Sequence, residues 1–353
     1  MILFVEKHSV AFFDLIDFDD HEQVIFCSDK ASGLKAIIAI HSTKLGAAVG
    51  GCRLWDYASD EEALVDVLRL SRGMTYKNAM AGLKMGGGKS VIIGDAKTIK
   101  SEALFKAFGE KLNNLAGRYL SAEDVNINTD DIAVANTVTP FVTGTVEKSG
   151  NPAPFTALGT FLGIKAAVKF KFGRVDLVGL TVSVQGLGSV GYALCEYLYK
   201  AGAKLIVTDI NQDTLDKAAI EFNATVVSLD DIYDQDVDIY APCALGATVN
   251  EQTISRIKAK IIAGCANNQL AHDSFDQTLL DLDILYTPDY IINAGGIINV
   301  SFEDNYCADI STKKVEEIYN TLLNVFEKAR EQNRPTGEVA DEMARKIIAN
   351  GGR

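Results

Sequence analysis

The stretch from Thr181 to Asp209 constrains the fold of this chain more than any other. Thr181-Val182-Ser183-Val184-Gln185 has the length and β-branched content of a buried strand, and it runs directly into Gly186-Leu187-Gly188-Ser189-Val190-Gly191. A helical pattern over 190–201 follows, and then a second strand pattern over 204–208 that ends in Asp209, eighteen residues past Gly191. Strand, glycine turn, helix and strand open a doubly wound parallel sheet. A lone GxGxxG says little, but here context, spacing and acid agree. Gly186, Gly188 and Gly191 permit a tight turn and close approach of a pyrophosphate. Leu187, Ser189 and Val190 complete the turn, and the helix N-terminus stabilises the negative charge. A carboxylate at Asp209 accepts hydrogen bonds from ribose hydroxyls and repels a 2′-phosphate, which favours NAD over NADP.

A chain of 353 residues exceeds what one hydrophobic core usually serves, so a second domain is expected before this one. The first part reads as strands over 23–28, 34–41, 47–54, 90–93 and 118–122, with helices over 60–81 and 102–115 and one capped by Thr129 that runs to 138. Ser59 is the expected cap of the 60–81 helix. The aperiodic, Gly- and Pro-containing segment 141–154 reads as a hinge. Beyond it come a helix over 156–172, further strands near Val226, Ile239 and Ile262, and amphipathic helices over 313–332 and 336–349. A formal net charge of −13 argues against nucleic acid or an anionic membrane as partner. No apolar run reaches membrane-spanning length, and the start Met1–His8 lacks the features of a signal peptide, so a cytoplasmic location is expected. Six cysteines without CxxC or metal-ligand spacing fit a reducing compartment and no metal site.

Two lysines stand in unexpected places. Lys77 is the only charge on a helical stripe of Val67, Leu70, Met74 and Ala81, and Lys89 follows Gly86-Gly87-Gly88 just ahead of a strand. A lysine on an apolar stripe is more often snorkelling from its edge. The second lysine, and the carboxylates of Glu123 and Asp124 just after another strand, shift the balance toward a site. A lysine drawn out of water beside another cation titrates below its ordinary value near ~10.4 and can serve as a base. A phosphate-binding GxxxxGK[ST] loop is excluded, because Leu83 stands where its first glycine belongs. The glycines instead let a ligand or a strand approach the backbone. None of the four histidines, His8, His21, His41 and His272, has a triad-like setting.

At these residues the chain resembles the glutamate, leucine, phenylalanine and valine dehydrogenase family over nearly its whole length. The resemblance rests on Gly50-Gly51-Cys52-Arg53, Gly73-Met74-Thr75-Tyr76-Lys77-Asn78-Ala79, Gly86-Gly87-Gly88-Lys89, Ala122-Glu123-Asp124-Val125 and Gly150-Asn151-Pro152. The fingerprint above, Asn267-Asn268-Gln269-Leu270 and Asn293-Ala294-Gly295-Gly296 complete it. It implies two α/β domains with the active site in the cleft between them. One is a mixed substrate and oligomerisation domain over 1–143 and about 328–353, and the other an NAD-binding Rossmann domain over 144–327. It implies a homo-oligomer, a dimer at least, and reversible conversion of an L-amino acid, NAD⁺ and water to a 2-oxo acid, ammonium and NADH. Lys77 would hold the substrate carboxylate, Lys89 would activate water, and Asp124 would exchange protons with the substrate nitrogen. Gly50, Met74 and Asn268 would contact the substrate, while Thr156 and Asn268 would place the nicotinamide.

In this family the substrate side chain meets positions that correspond to Val49, Ala122, Ile297 and Val300, all apolar here. Burying the second carboxylate of glutamate against them unpaired costs several kcal/mol, which disfavours glutamate. Aromatic-specific relatives tend to carry glycine at the position of Ala122, so the reading is leucine, valine or isoleucine, with phenylalanine or tryptophan as the alternative. A non-catalytic NAD-binding regulatory module would have little reason to keep Lys77, Lys89 and Asp124 together. Cys52 stands where relatives often have threonine.

Overall fold

Gly86–Ile93 is extended through its glycines, four residues longer than the strand expected at 90–93, because ladder hydrogen bonds need backbone and no side chain. In the computed structural model, which describes residues 12–15, 17–144, 150–244, 246–303 and 306–352, this strand is β4 of a five-stranded sheet. The others are β1 (Gln23–Asp29), β2 (Leu34–Ser42), β3 (Ala48–Trp55) and β5 (Tyr119–Ala122), in the order β1-β2-β4-β3-β5. β1, β2 and β4 pair antiparallel, while β3 runs parallel to both β4 and β5. Side chains alternate across the sheet, so β2 and β4 feed two cores. Ile37, Ala39 and Val91 pack with Ala63, Leu64, Val67 and Leu68 of the helix Asp60–Met80. Ile38, Ile40 and Ile92 pack on the other side with Leu104, Phe105, Phe108 and Leu112 of the helix Glu102–Asn113. Ser59 Oγ accepts from Glu62 N, as a cap should. The cap expected at Thr129 is one residue earlier. Asn128 and Asp131 form a reciprocal capping box there, and Thr129 is the first helical residue.

The second sheet has six short strands: β6 (Thr181–Gln185), β7 (Lys204–Thr208), β8 (Thr225–Val226), β9 (Ile239–Pro242), β10 (Ile261–Ile262) and β11 (Leu285–Tyr286). All pair in parallel, in the order β11-β10-β9-β6-β7-β8. β11, two residues long, has no periodicity to reveal it in the sequence. The helix Ala153–Phe172 starts three residues before the expected 156, with Asn151 Oδ1 accepting from Ala153 N. Of the expected hinge 141–154, residues 145–149 lie outside the described residues. Among the described residues no helix is long and apolar enough to cross a membrane.

The chain divides into two compact units, 1–75 with 84–145 and 76–83 with 146–353. The division falls inside the helix Asp60–Met80, whose last turn counts with the second unit. The closing segment 328–353, expected with the first domain, also groups with the second unit. Asp276 Oδ2 explains this by accepting from Gly337 N (2.8 Å) and Glu338 N (3.2 Å) at the start of the helix Thr336–Ala349. Thr336 Oγ1 donates to Tyr286 O at 2.6 Å beside them.

Burial pushes the Asp276 carboxyl up to about 7, against the pull of the two backbone N–H groups. A folded-state value above the unfolded one stabilises at low pH, and that contribution disappears as pH rises through about 7. Replacing Asp276 by Asn should therefore flatten the fall in urea-unfolding stability of the wild type between about pH 4 and 7. Equal slopes for the two proteins would show that the carboxyl does not titrate there.

Candidate active site

The first unit gathers its charges at one place on the sheet. The pairings Val49↔Gly87, Cys52↔Ser90 and Gly51↔Ala122 put Val49, Lys89 and Ala122 on the sheet face that carries Val91, the face covered by the helix Asp60–Met80. Glycine is required here for close approach and not for φ. A Cβ on Gly87 would lie 2.0 Å from Thr75 N, and one on Gly51 would lie 2.3 Å from Glu123 O. Of the two alternatives, protein backbone and not a ligand fills the space beside these glycines. Gly50 O accepts from Tyr119 Oη at 2.7 Å, and a Cβ on Gly50 would lie 3.2 Å from Met74 Cγ. Two residues with substrate-binding expectations, Gly50 and Met74, thus lie close together.

Lys89, 4% exposed, places Nζ 3.1 Å from Asp124 Oδ2. Asp124 follows β5 in a turn closed by Ile127 N→Asp124 O and by Asn126 Nδ2→Leu54 O. Arg53 Nε reaches the same Oδ2 at 3.1 Å. Burial alone would raise the Asp124 carboxyl, but the Lys89 and Arg53 charges outweigh it and bring it down to about 2. Asp124 is thus a carboxylate at neutral pH, a hydrogen-bond acceptor for the two cations. Its neighbour Glu123 is shifted the other way, raised by burial and then by the Asp124 charge. Two of the histidines, His21 and His41, serve elsewhere. The His21 and His41 rings pack 4.8 Å apart and bond to Ser71, Leu68 O, Thr75 and Asp19.

In the second unit Lys77 is 9% exposed, in a run from Thr75 to Met80 buried without interruption. The stripe argument names the right residue, yet all-round burial of this turn takes it out of water, and Met74 and Ala81 are only half-buried. Lys77 Nζ donates to Asn267 Oδ1 at 3.2 Å, and Asn293 Nδ2 donates to the same oxygen at 2.7 Å and to Cys265 O at 3.1 Å. Asn267 and Asn293 stood in quoted motifs without a role. Asn268, expected at the substrate, has a left-handed backbone (φ 50°), and its carbonyl accepts from Ala247 N. Burial raises the Asp289 carboxyl, with the Lys77 charge acting against it, and Asp289 Oδ2 accepts from Gln269 N at 3.0 Å. Thr156 lies in the first turn of the helix Ala153–Phe172, where a Cβ on Gly296 would come 2.8 Å from its Oγ1. The helix Gly295–Val300 begins at that contact and leaves Ile297 and Val300, one turn apart, half-buried.

The glycine turn after β6 fits a dinucleotide. Gly186 has φ 97°, and a Cβ on it would strike Ala244 in the segment after β9, so only glycine serves there. Gly191 packs on Gly186, where a Cβ would lie 2.0 Å from its carbonyl oxygen. A Cβ on Gly188, in contrast, would meet nothing within 4 Å, which leaves space over the turn. The helix Ser189–Lys200 begins at Gly188 with no side-chain cap, so the N–H groups of its first turn, from Ser189, Val190 and Gly191, are open to an anion. The sheet order reverses at β6 and β9, where doubly wound sheets open a crevice. Asp209 follows β7 directly, with Oδ2 accepting from Leu187 N at 2.5 Å and Oδ1 accepting from Asn211 N at 2.8 Å, which holds its carboxylate against the turn.

Comparison with known proteins agrees with this geometry. Residues 21–141 match the Glu/Leu/Phe/Val dehydrogenase dimerisation domain, and residues 206–350 match the Glutamate/Leucine/Phenylalanine/Valine dehydrogenase domain. The leucine dehydrogenase of Bacillus cereus is 51% identical over 342 residues, 96% of this chain and 93% of that protein. The leucine dehydrogenase of Thermoactinomyces intermedius is 52% identical over 340 residues, 95% and 93% of the two chains. The crystal structure of L-tryptophan dehydrogenase from Nostoc punctiforme superposes with a TM-score of 0.80 at 46% identity, covering 94% of this chain and 97% of that one. Two family domains, a parallel Rossmann-type sheet and half-identity along nearly the whole length leave one assignment: this chain belongs to the Glu/Leu/Phe/Val dehydrogenase family of amino-acid dehydrogenases.

Proposed function

We propose that the chain catalyses the reversible NAD-dependent oxidative deamination of an L-amino acid with a branched aliphatic side chain, leucine, valine or isoleucine. The observation that carries this reading is the buried Lys89–Asp124 pair beside apolar Val49 and Ala122 on one sheet face. Identity of 51–52% to leucine dehydrogenases supports the side-chain class.

NAD⁺, when bound, supplies the hydride acceptor, with Gly186, Gly188, Gly191 and Asp209 holding it and Thr156 and Asn268 placing its reactive ring. Asp124, ionised at working pH, accepts a proton from the substrate ammonium and so frees the nitrogen lone pair. Lys77, held by Asn267, binds the substrate carboxylate by charge-assisted hydrogen bonds. Lys89, in its neutral amine form, takes the proton of the water that attacks the substrate carbon once the C–N bond has become an iminium. Val49, Ala122, Ile297 and Val300, all apolar, offer the substrate side chain no partner for a charge. The working protein is a homo-oligomer, a dimer at least, in the cytoplasm.

Two outcomes are expected. With a panel of common L-amino acids, NADH should form with leucine, valine and isoleucine, more slowly or not at all with glutamate, and little NADPH should form. A preference for phenylalanine or tryptophan would move the substrate class, and silence across the panel would leave a binding module. Lys89→Ala should lower kcat by at least ~10²-fold in the same assay, the scale of a lost general base. Asp124→Asn should also abolish turnover, and by leaving the buried Lys89 without its carboxylate it should cost about 3 kcal/mol in urea unfolding at pH 7.

A further inference from the structure

The proposed machinery uses Lys89 and Asp124 and gives no role to the cation that shares their oxygen. Arg53 lies on β3, 18% exposed at its side chain. Its Nε donates to Asp124 Oδ2 at 3.1 Å, and its Nη1 donates to Asp66 Oδ2 at 2.9 Å and Oδ1 at 3.3 Å. Asp66, from the helix Asp60–Met80, is held in turn by Tyr57 Oη, which donates to its Oδ2 at 2.6 Å. Four ionic groups in contact, Arg53 and Lys89 against Asp66 and Asp124, balance in charge, as a buried cluster must.

Both cations bind the same oxygen of Asp124. No hydrogen bond from the described residues reaches Oδ1. We infer that Arg53 is a positioning residue for the reaction: anchored by Asp66, it clamps Asp124 through Oδ2 so that Oδ1 is presented to the substrate nitrogen. A lysine cannot replace it, because the two contacts diverge from different nitrogens of one rigid plane. The pull of Arg53 on Asp124 adds to that of Lys89 in keeping the carboxylate ionised. Among the described residues Tyr57 and Asp66 make no hydrogen bond or ion pair with Lys89, so they act through Arg53.

The inference rests on the reading of Asp124 as the proton acceptor, and the test separates the two. Arg53→Gln should lower kcat about 10- to 100-fold at saturating substrate while KM for the amino acid stays within about threefold, since Arg53 orients a catalytic group and does not bind substrate. Arg53→Lys should recover only part of that loss. Added guanidinium ion, at concentrations too low to denature, should raise the kcat of Arg53→Ala at least severalfold and leave Lys89→Ala unchanged. Asp66→Asn keeps every charge on Asp124 and Lys89 but loosens the anchor, so it should lower kcat in the same sense by a smaller factor. It carries the test if the Arg53 variants do not fold. A folded Arg53→Gln enzyme with wild-type kcat, a loss confined to KM, or wild-type kcat in Asp66→Asn would overturn the inference while an inactive Asp124→Asn left the proton-acceptor reading standing. An active Asp124→Asn would remove both.

Discussion

Backbone packs on backbone where β3, β4 and the helix Asp60–Met80 meet, and that closeness sets the conditions for the charges around Lys89. The Cβ positions of Gly50, Gly51 and Gly87 are taken by Gly88 O, Glu123 O and Thr75 N. With the strands and helix so near, no water layer screens the end of the sheet face, and Lys89 is buried on a protein wall. An ammonium there must find a carboxylate, and Asp124 supplies it from the end of β5. Arg53 and Asp66 then complete a neutral cluster. The same low-dielectric setting that makes an unpaired charge costly makes a proton transfer within it sensitive to where each group points.

The second unit solves a related problem in a different way. Lys77 meets an amide oxygen from Asn267, which Asn293 fixes from its other side. Burial raises the nearby Asp289 carboxyl, and the Lys77 charge acts against that rise. At the glycine turn after β6 the selection is again steric. Gly186 and Gly191 close on neighbouring backbone, whereas Gly188 leaves room.

Much of the architecture is legible in the sequence because it is local. β6, β7 and the helix Thr336–Ala349 coincide with the expected segments, since turn chemistry and period report directly on those elements. β11 is too short to show a period, and β4 hides its first half in glycines that carry no pattern. The Thr129 cap is displaced by one residue because Asn128 and Asp131 offer a reciprocal pair that a lone threonine cannot. Asp276 draws the last helix onto the second unit by hydrogen bonds that no periodicity encodes.

The sequence by itself determined the Rossmann unit, the two unusual lysines, Asp124 and an apolar set of side-chain contacts, because each is marked by residue type and spacing within a short window. Only the tertiary structure decided their partners. Arg53 meets Asp124 across 71 positions of chain, and Lys77 meets Asn267 across 190. An ionic or hydrogen-bonded contact depends on separation in space and on the water excluded around it, and neither quantity is written in the spacing of residues along a chain.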